Sequence, residues 1–396
     1  LMANSLLTPS VITKEALAVL HQKLNFVGSI NRQYDSQYAK SGAKIGNDLK
    51  IRLPNEFTVR TGAALSSQDV TESSVTLNVA TQKGVDFTFS SEELSMDIDG
   101  FKERYIEPAM AVLASNIEAD AFSMSKDVYN FVAGQGAANS FNNVTQAQKQ
   151  LTLGLAPYGS RVYMHDPQSV VDMLADTKGL FQDSSSIAKQ YKEGELGRIA
   201  GFNHFENTLV PTHTTGTAAA TTGYLVNGAS QSGSSLVVDT GSTTLLIGDL
   251  ITIAGVNRVH PETKADTGVL QNFVIKANSG ANATTLLISP ALTATGGRQN
   301  VSAVPANNAA ISKLGGGSGA DWTDTLAYQK DSFVFATADL VLPEGIDFSA
   351  REVMDGISMR IVRDYSISAD TFPCRIDILY GYKTVRPETA CRVAIN

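Results

Sequence analysis

Five histidines (His21, His165, His204, His213 and His260) and two cysteines (Cys374 and Cys391) are the side chains of this sequence best suited to metal or nucleophilic chemistry. A zinc or hydrolytic centre needs them at set spacings, such as His-Glu-x-x-His on a helix or paired Cys-x-x-Cys. Neither spacing occurs. His204, Glu206 and His213 are the closest cluster and read as structural or surface residues. Gly315, Gly317 and Ala320 match the loose Gly-x-Gly-x-x-Gly/Ala pattern of a dinucleotide site, which requires a strand before it and a helix after it. Ala310-Ile311-Ser312 is too short and polar to be that strand, so the glycines read as a linker. Asp97-Ile98-Asp99-Gly100 lacks the remaining ligands of a calcium loop and reads as a helix cap. There is no Gly-x-Ser-x-Gly elbow and no Walker lysine. The chain is expected to be no enzyme, with no catalytic residue, cofactor or metal.

Composition narrows the classes further. The 396 residues carry 31 basic and 39 acidic side chains, a net charge of −8. A protein that coats nucleic acid by neutralising phosphates needs a basic surplus. With 43% apolar residues the chain buries a sizeable core, and disorder throughout is excluded. Two cysteines are too few for a disulfide scaffold, and isolated thiols are favoured over one bridge. No apolar run reaches the roughly 18 residues of a membrane span. Leu1-Met2-Ala3-Asn4 does not begin a signal peptide, so synthesis in the cytoplasm is expected.

The positioning elements follow from periodicity. Thr13 reads as a helix N-cap, with Ile12 and Leu17 as a hydrophobic staple, and Leu17, Leu20, Leu24 and Val27 repeat at helical spacing to a stop near Ser29. Lys50–Leu53 alternates before Pro54, which marks an edge strand. Val75, Leu77 and Val79, then Val85, Phe87 and Phe89, alternate on either side of residues 80–84, which predicts a hairpin with one apolar side. Ser90-Ser91-Glu92-Glu93 is a capping box. Phe101 to Phe131 then repeats at helical spacing as a strut, with Glu118 on a polar face and Pro108 marking either a kink or the first turn. Arg161–Met164 reads as a strand, and Asp166-Pro167 as the start of the next helix. Residues 222–320 hold only five basic and four acidic residues and many short β-type runs: 224–226, 235–238, 245–247, 250–253, 269–275 and 285–289. They predict an inserted all-β domain, with Gly315–Gly319 as a flexible return linker. Phe333–Thr337, Leu340–Leu342 and the alternating run from Cys374 to Tyr382 read as strands.

This order of parts resembles the Hong Kong ninety-seven-type major capsid fold of tailed bacteriophages, and more closely the coat proteins of short-tailed Salmonella phages of the P-twenty-two type. Three stretches carry the likeness. Ser160 to Gln168 is similar to that family's strand-Asn-Pro-Gln helix start, and Arg198-Ile199-Ala200-Gly201-Phe202 to its Val-Ala-Gly-Phe turn. Cys374-Arg375-Ile376, Tyr380-Gly381 and Arg386-Pro387-Glu388 are similar to its C-terminal strand and turn. Gly248-Asp249 and Ala254-Gly255-Val256 look like its insertion domain.

The resemblance implies an α+β fold in six parts. These are an N-terminal arm with a helix (1–48), an extended β-hairpin loop (49–90) and a spine-helix region (91–140). A first part of the peripheral and axial domains (141–221), an inserted β-barrel-like domain (222–320) and a C-terminal return (321–396) complete it. It also implies a shell subunit that assembles into hexamers and pentamers of an icosahedral head around double-stranded DNA, without sequence-specific binding and without a membrane. A separate scaffolding protein, a portal protein, assembly in the host cytoplasm and residence in the virion are expected. Val75, Leu77, Val79, Val85, Phe87 and Phe89 are the candidate inter-subunit contacts. A β-rich surface adhesin, or another non-enzymatic structural protein, is the alternative. An enzyme with a flexible Gly-rich loop is opposed by the missing acid/base and metal clusters.

Overall fold

A computed structural model describes residues 13, 16–20, 24–35, 48–65, 67, 72–90, 106–178, 196–346, 348–354 and 356–395. Leu1–Asn4, Ile12, His21, Ser91–Glu93, Asp97–Gly100 and Phe101, named above, lie outside them. The chain forms an α+β structure of two compact units. One comprises Leu1–Ile51, Ser74–Phe122 and Phe333–Val385, and the other Arg52–Ser73, Ser123–Ser332 and Arg386–Asn396.

The first unit is a six-stranded sheet with helices against it. Strands run in the order Asn31–Asp35, Phe333–Ala338, Thr371–Thr384, Ile357–Arg363 and Phe348–Met354, and Thr81–Ser90 pairs with Thr371–Thr384 as well. Leu17, Leu20, Leu24 and Val27 all point inward, as their spacing predicts, and Thr13 is itself helical. The helical path is interrupted before a final turn at Phe26–Ser29. Phe26 stacks on Phe122 with ring centroids 4.4 Å apart. Glu118, placed on a polar face by sequence, is instead buried. Its carboxylate accepts the amide hydrogens of Phe26 at 3.0 Å and Val27 at 2.9 Å.

Two expectations in this unit are corrected. The runs flanking residues 80–84 do not pair with each other. Ser74–Asn78 pairs with Asp48–Arg52, while Thr81–Ser90 is continuous with no turn at 80–84 and runs antiparallel to Thr371–Thr384 for ten residues. Alternation reports which face is apolar and is silent about the partner. Gly84 is a close-approach residue: a Cβ there would lie 2.4 Å from the Ile376 carbonyl oxygen. Leu340–Leu342 is not a strand, because the Arg351 and Arg360 guanidiniums take the carbonyls of Leu340 and Val341 that a ladder would use.

The α-helix runs from Glu107 to Phe122, with Ile106 in a π-helical turn ahead of it, and ends before Phe131. In the second unit the chain tightens into a 3-10 turn, Ser123–Asp127. The Asn130 side chain donates to the Glu388 and Ala390 carbonyls and draws Phe131–Val132 into a sheet. That sheet has the order Phe131–Val132, Ala390–Ile395, Asp321–Gln329, Arg161–His165, Phe202–Glu206 and Arg198–Ile199, with Thr212–Thr214 also paired to Asp321–Gln329. Helices Phe141–Leu153 and Pro167–Thr177 accompany it, the second capped by the Asp166 carboxylate as its sequence predicts.

The same unit holds a closed six-stranded barrel: Thr221–Val226, Gly233–Asp239, Thr285–Leu292, Asp266–Ile275, Leu250–Val259 and Ala310–Lys313. Tyr224, Leu236, Val238, Ile251, Ile253, Phe273, Ile275 and Ile288 fill its interior. Leu245–Ile247 is not one of its strands, since Asp249 and Asn278 side chains take the Leu246 and Ile247 amides. Ala310-Ile311-Ser312, judged too polar for a strand, belongs to the strand that closes the barrel with Ile311 turned inward, and another strand follows it where a dinucleotide site needs a helix. Nor is Gly315–Gly319 a flexible linker. Gly315 has φ +81° and faces the Trp322 ring, and the Gly317 carbonyl accepts from the buried Lys313 ammonium at 2.6 Å.

Candidate inter-subunit surface

Asp48–Arg52 and Ser74–Asn78 form a two-stranded ribbon. Period-two alternation turns Val75 and Leu77 to one side and leaves Thr76 and Asn78 exposed. The Asn78 side chain reaches Asp48 Oδ1 at 3.1 Å, and the Leu53 amide donates to the Ser73 carbonyl at 2.9 Å. The ribbon therefore presents residues 53–65 beyond its last pair. Arg60 curls this segment by donating to the carbonyls of Gly62 and Ala64. Phe57, Val59 and Leu65 are 58%, 95% and 89% exposed. Glu56 is held by Lys264 at 3.3 Å.

The six sequence candidates divide. Leu77 and Val79 are buried, their apolar surface taken up within this chain. Val75, Val85 and Phe87 are half-buried, and Phe89 pairs through its backbone with Phe372. The most exposed apolar residues of the segment, Phe57, Val59 and Leu65, escaped the sequence reading because they lie in an irregular stretch with no periodicity.

The histidines are also redistributed. His204 does not meet His213. It lies 2.6 Å from His165, and both are pushed towards the neutral form by burial, His204 to about 4 and His165 well below its ordinary value. His213 donates from Nε2 to Asp249 at 2.9 Å. Cys374 and Cys391 are free and buried, and burial raises both thiols above their ordinary range. Among the described residues no group of three or more histidine, cysteine, aspartate or glutamate side chains is arranged to hold a metal ion, and no helix is long and apolar enough to cross a membrane.

The family model described as "P22 coat protein - gene protein 5" matches residues 3–392. No curated protein sequence matches the chain. Among solved structures, it is similar to a chain of Mycobacterium phage Che8 at 12% identity, covering 94% of this chain and 91% of that one with a TM-score of 0.49. The mature capsid of bacteriophage PhiM1 is similar at 12% identity over 92% and 86% of the two chains, with a TM-score of 0.43. The CUS-3 coat protein I-domain is 34% identical, covering 24% of this chain and 96% of that one with a TM-score of 0.20.

Proposed function

The chain belongs to the P22 coat protein family and is a major capsid protein of a tailed bacteriophage, structural rather than enzymatic, and from that premise we propose how its parts build the shell. Copies of the chain assemble into hexamers and pentamers of an icosahedral head, and the Asp48–Asn78 ribbon with its loop reaches over a neighbouring copy. The observation that carries this reading is the row of exposed apolar side chains Phe57, Val59 and Leu65 at the end of a ribbon too small to be stable unsupported. Val75, Val85, Phe87 and Phe89 are separate contact candidates on the first unit.

In this reading residues 1–48 are the N-terminal arm, 49–90 the extended loop and 91–140 the spine region, its helix being Glu107–Phe122. Residues 141–221 and 321–396 share the peripheral and axial domains, and 222–320 is the insertion domain built on the closed barrel. These are the elements of the Hong Kong ninety-seven-type fold. The net charge of −8 suits a container that encloses double-stranded DNA without gripping it. A separate scaffolding protein and a portal protein complete assembly in the host cytoplasm.

Electron microscopy of the expressed protein, alone and with the phage's scaffolding protein, tests the reading. Closed shells or polyhead tubes are the expected outcome. Monodisperse monomers under both conditions would refute it.

A further inference from the structure

The foot of the barrel is built from buried charge. From the barrel side come the Gly248 carbonyl, Asp249 and Lys313, and from the adjoining sheet and its connections His213, Thr215, Gly216, Asp324 and Arg392. Asp249, Asp324 and Arg392 are 0%, 1% and 0% exposed, and His213 and Lys313 are 3% exposed. Arg392 spans the junction, with one nitrogen donating to Asp324 Oδ2 at 2.6 Å and another to the Gly248 carbonyl at 2.6 Å. Asp249 answers from the other side. Its Oδ1 accepts from His213 at 2.9 Å, and its Oδ2 accepts the amides of Gly216 at 3.0 Å and Leu246 at 2.8 Å. Lys313 donates to Thr215 Oγ1 at 2.9 Å and to the Gly317 carbonyl at 2.6 Å. Trp322 donates to the second oxygen of Asp324 at 2.8 Å.

Two cations and two carboxylates thus balance in a space closed to water, and each has a hydrogen-bonded partner across or beside the junction. Buried ion pairs are poor sources of net stability compared with apolar packing, because desolvation offsets much of their attraction. What they supply is direction, since each bond has one geometry. Apolar contacts at the same foot, among Phe131, Leu250, Val274, Trp322 and Ala394, tolerate small rotations. We propose that the Asp249–His213 and Arg392–Gly248 contacts, with Lys313, form an orientation lock that holds the barrel at one angle to the sheet it leaves. The barrel then stands at the same place on every copy of the chain, independently of what it faces.

The test is a distance measurement between spin labels on Ser234→Cys in the barrel and Asn142→Cys in the helix beside the sheet, both exposed positions, in the full chain. The parent is expected to give one narrow distance distribution. Asp249→Asn should broaden it at least two-fold while barrel amide signals stay dispersed. Phe273→Ala, which loosens the barrel interior, should lower stability without broadening the distance. If Asp249→Asn does not accumulate in folded form, Lys313→Met is read in the same way. A distribution that stays narrow, or broadening equal to that of Phe273→Ala, would overturn the lock.

Discussion

His165 Nε2 lies 2.6 Å from His204 Nδ1, and the bonds around the pair assign every proton. His204 Nε2 faces the Ile199 carbonyl at 3.1 Å and therefore carries a hydrogen, which leaves its Nδ1 as an acceptor. His165 Nε2 donates to it, and His165 Nδ1 accepts from Ser169 at 2.7 Å. Ser169 in turn accepts from Asn139 at 2.6 Å. A further proton on His204 Nδ1 sets its N–H against the Nε2–H of His165 in this arrangement.

Acid sensitivity follows. Burial holds both rings neutral in the folded state, below the ordinary value of 6.5. The His204 contribution is therefore complete above about pH 6.5 and is lost as the pH falls towards about 4, and His165 is shifted in the same direction. The His204 shift alone corresponds to on the order of 3 kcal/mol at about 1.4 kcal/mol per unit. Thermal melts of the monomer should fall between pH 7 and pH 4.5, and the fall should be shallower in His204→Gln. Equal slopes in the two proteins would count against this relay.

Glu118→Ala should destabilise the first unit by about 2–5 kcal/mol, because the amides of Phe26 and Val27 lose a buried acceptor. Glu118→Gln keeps one acceptor oxygen and should lose roughly half as much. Urea denaturation followed by tyrosine fluorescence reads the difference.

An excised barrel, residues 222–320, should fold by itself, since its strands close on one another around their own apolar interior. Circular dichroism with a β signature and dispersed amide resonances are expected. Within the excised barrel, Phe273→Ala should cost about 3–5 kcal/mol. A random-coil spectrum for the parent fragment would contradict the claim.

Assembly and folding should separate at the loop. Replacing Phe57, Val59 and Leu65 together by Ser should leave the monomer's stability within about 0.5 kcal/mol, as expected for exposed sites. Shell yield in particle imaging should drop at least ten-fold. Leu77→Ser, at a buried site, should instead destabilise the monomer itself.

Local pattern made much of this legible. The inward row Leu17, Leu20, Leu24 and Val27, the Asp166 cap and the charge-poor barrel segment follow from spacing and side-chain type within a few residues. These properties depend on neighbours along the chain, so composition and periodicity carry them. The non-enzymatic role rests on the match to the coat protein family.

Tertiary structure decided which segments meet. Thr81–Ser90 pairs with a strand some 290 residues away, Glu118 turns inward to the amides of Phe26 and Val27, and His165 finds His204 rather than His213 finding it. Alternation and charge look the same whichever partner is taken, and only packing chooses among the partners. The same holds for Gly315–Gly319, flexible by composition yet bound by Lys313, and for the buried pair Asp324 and Arg392, which no local pattern marks.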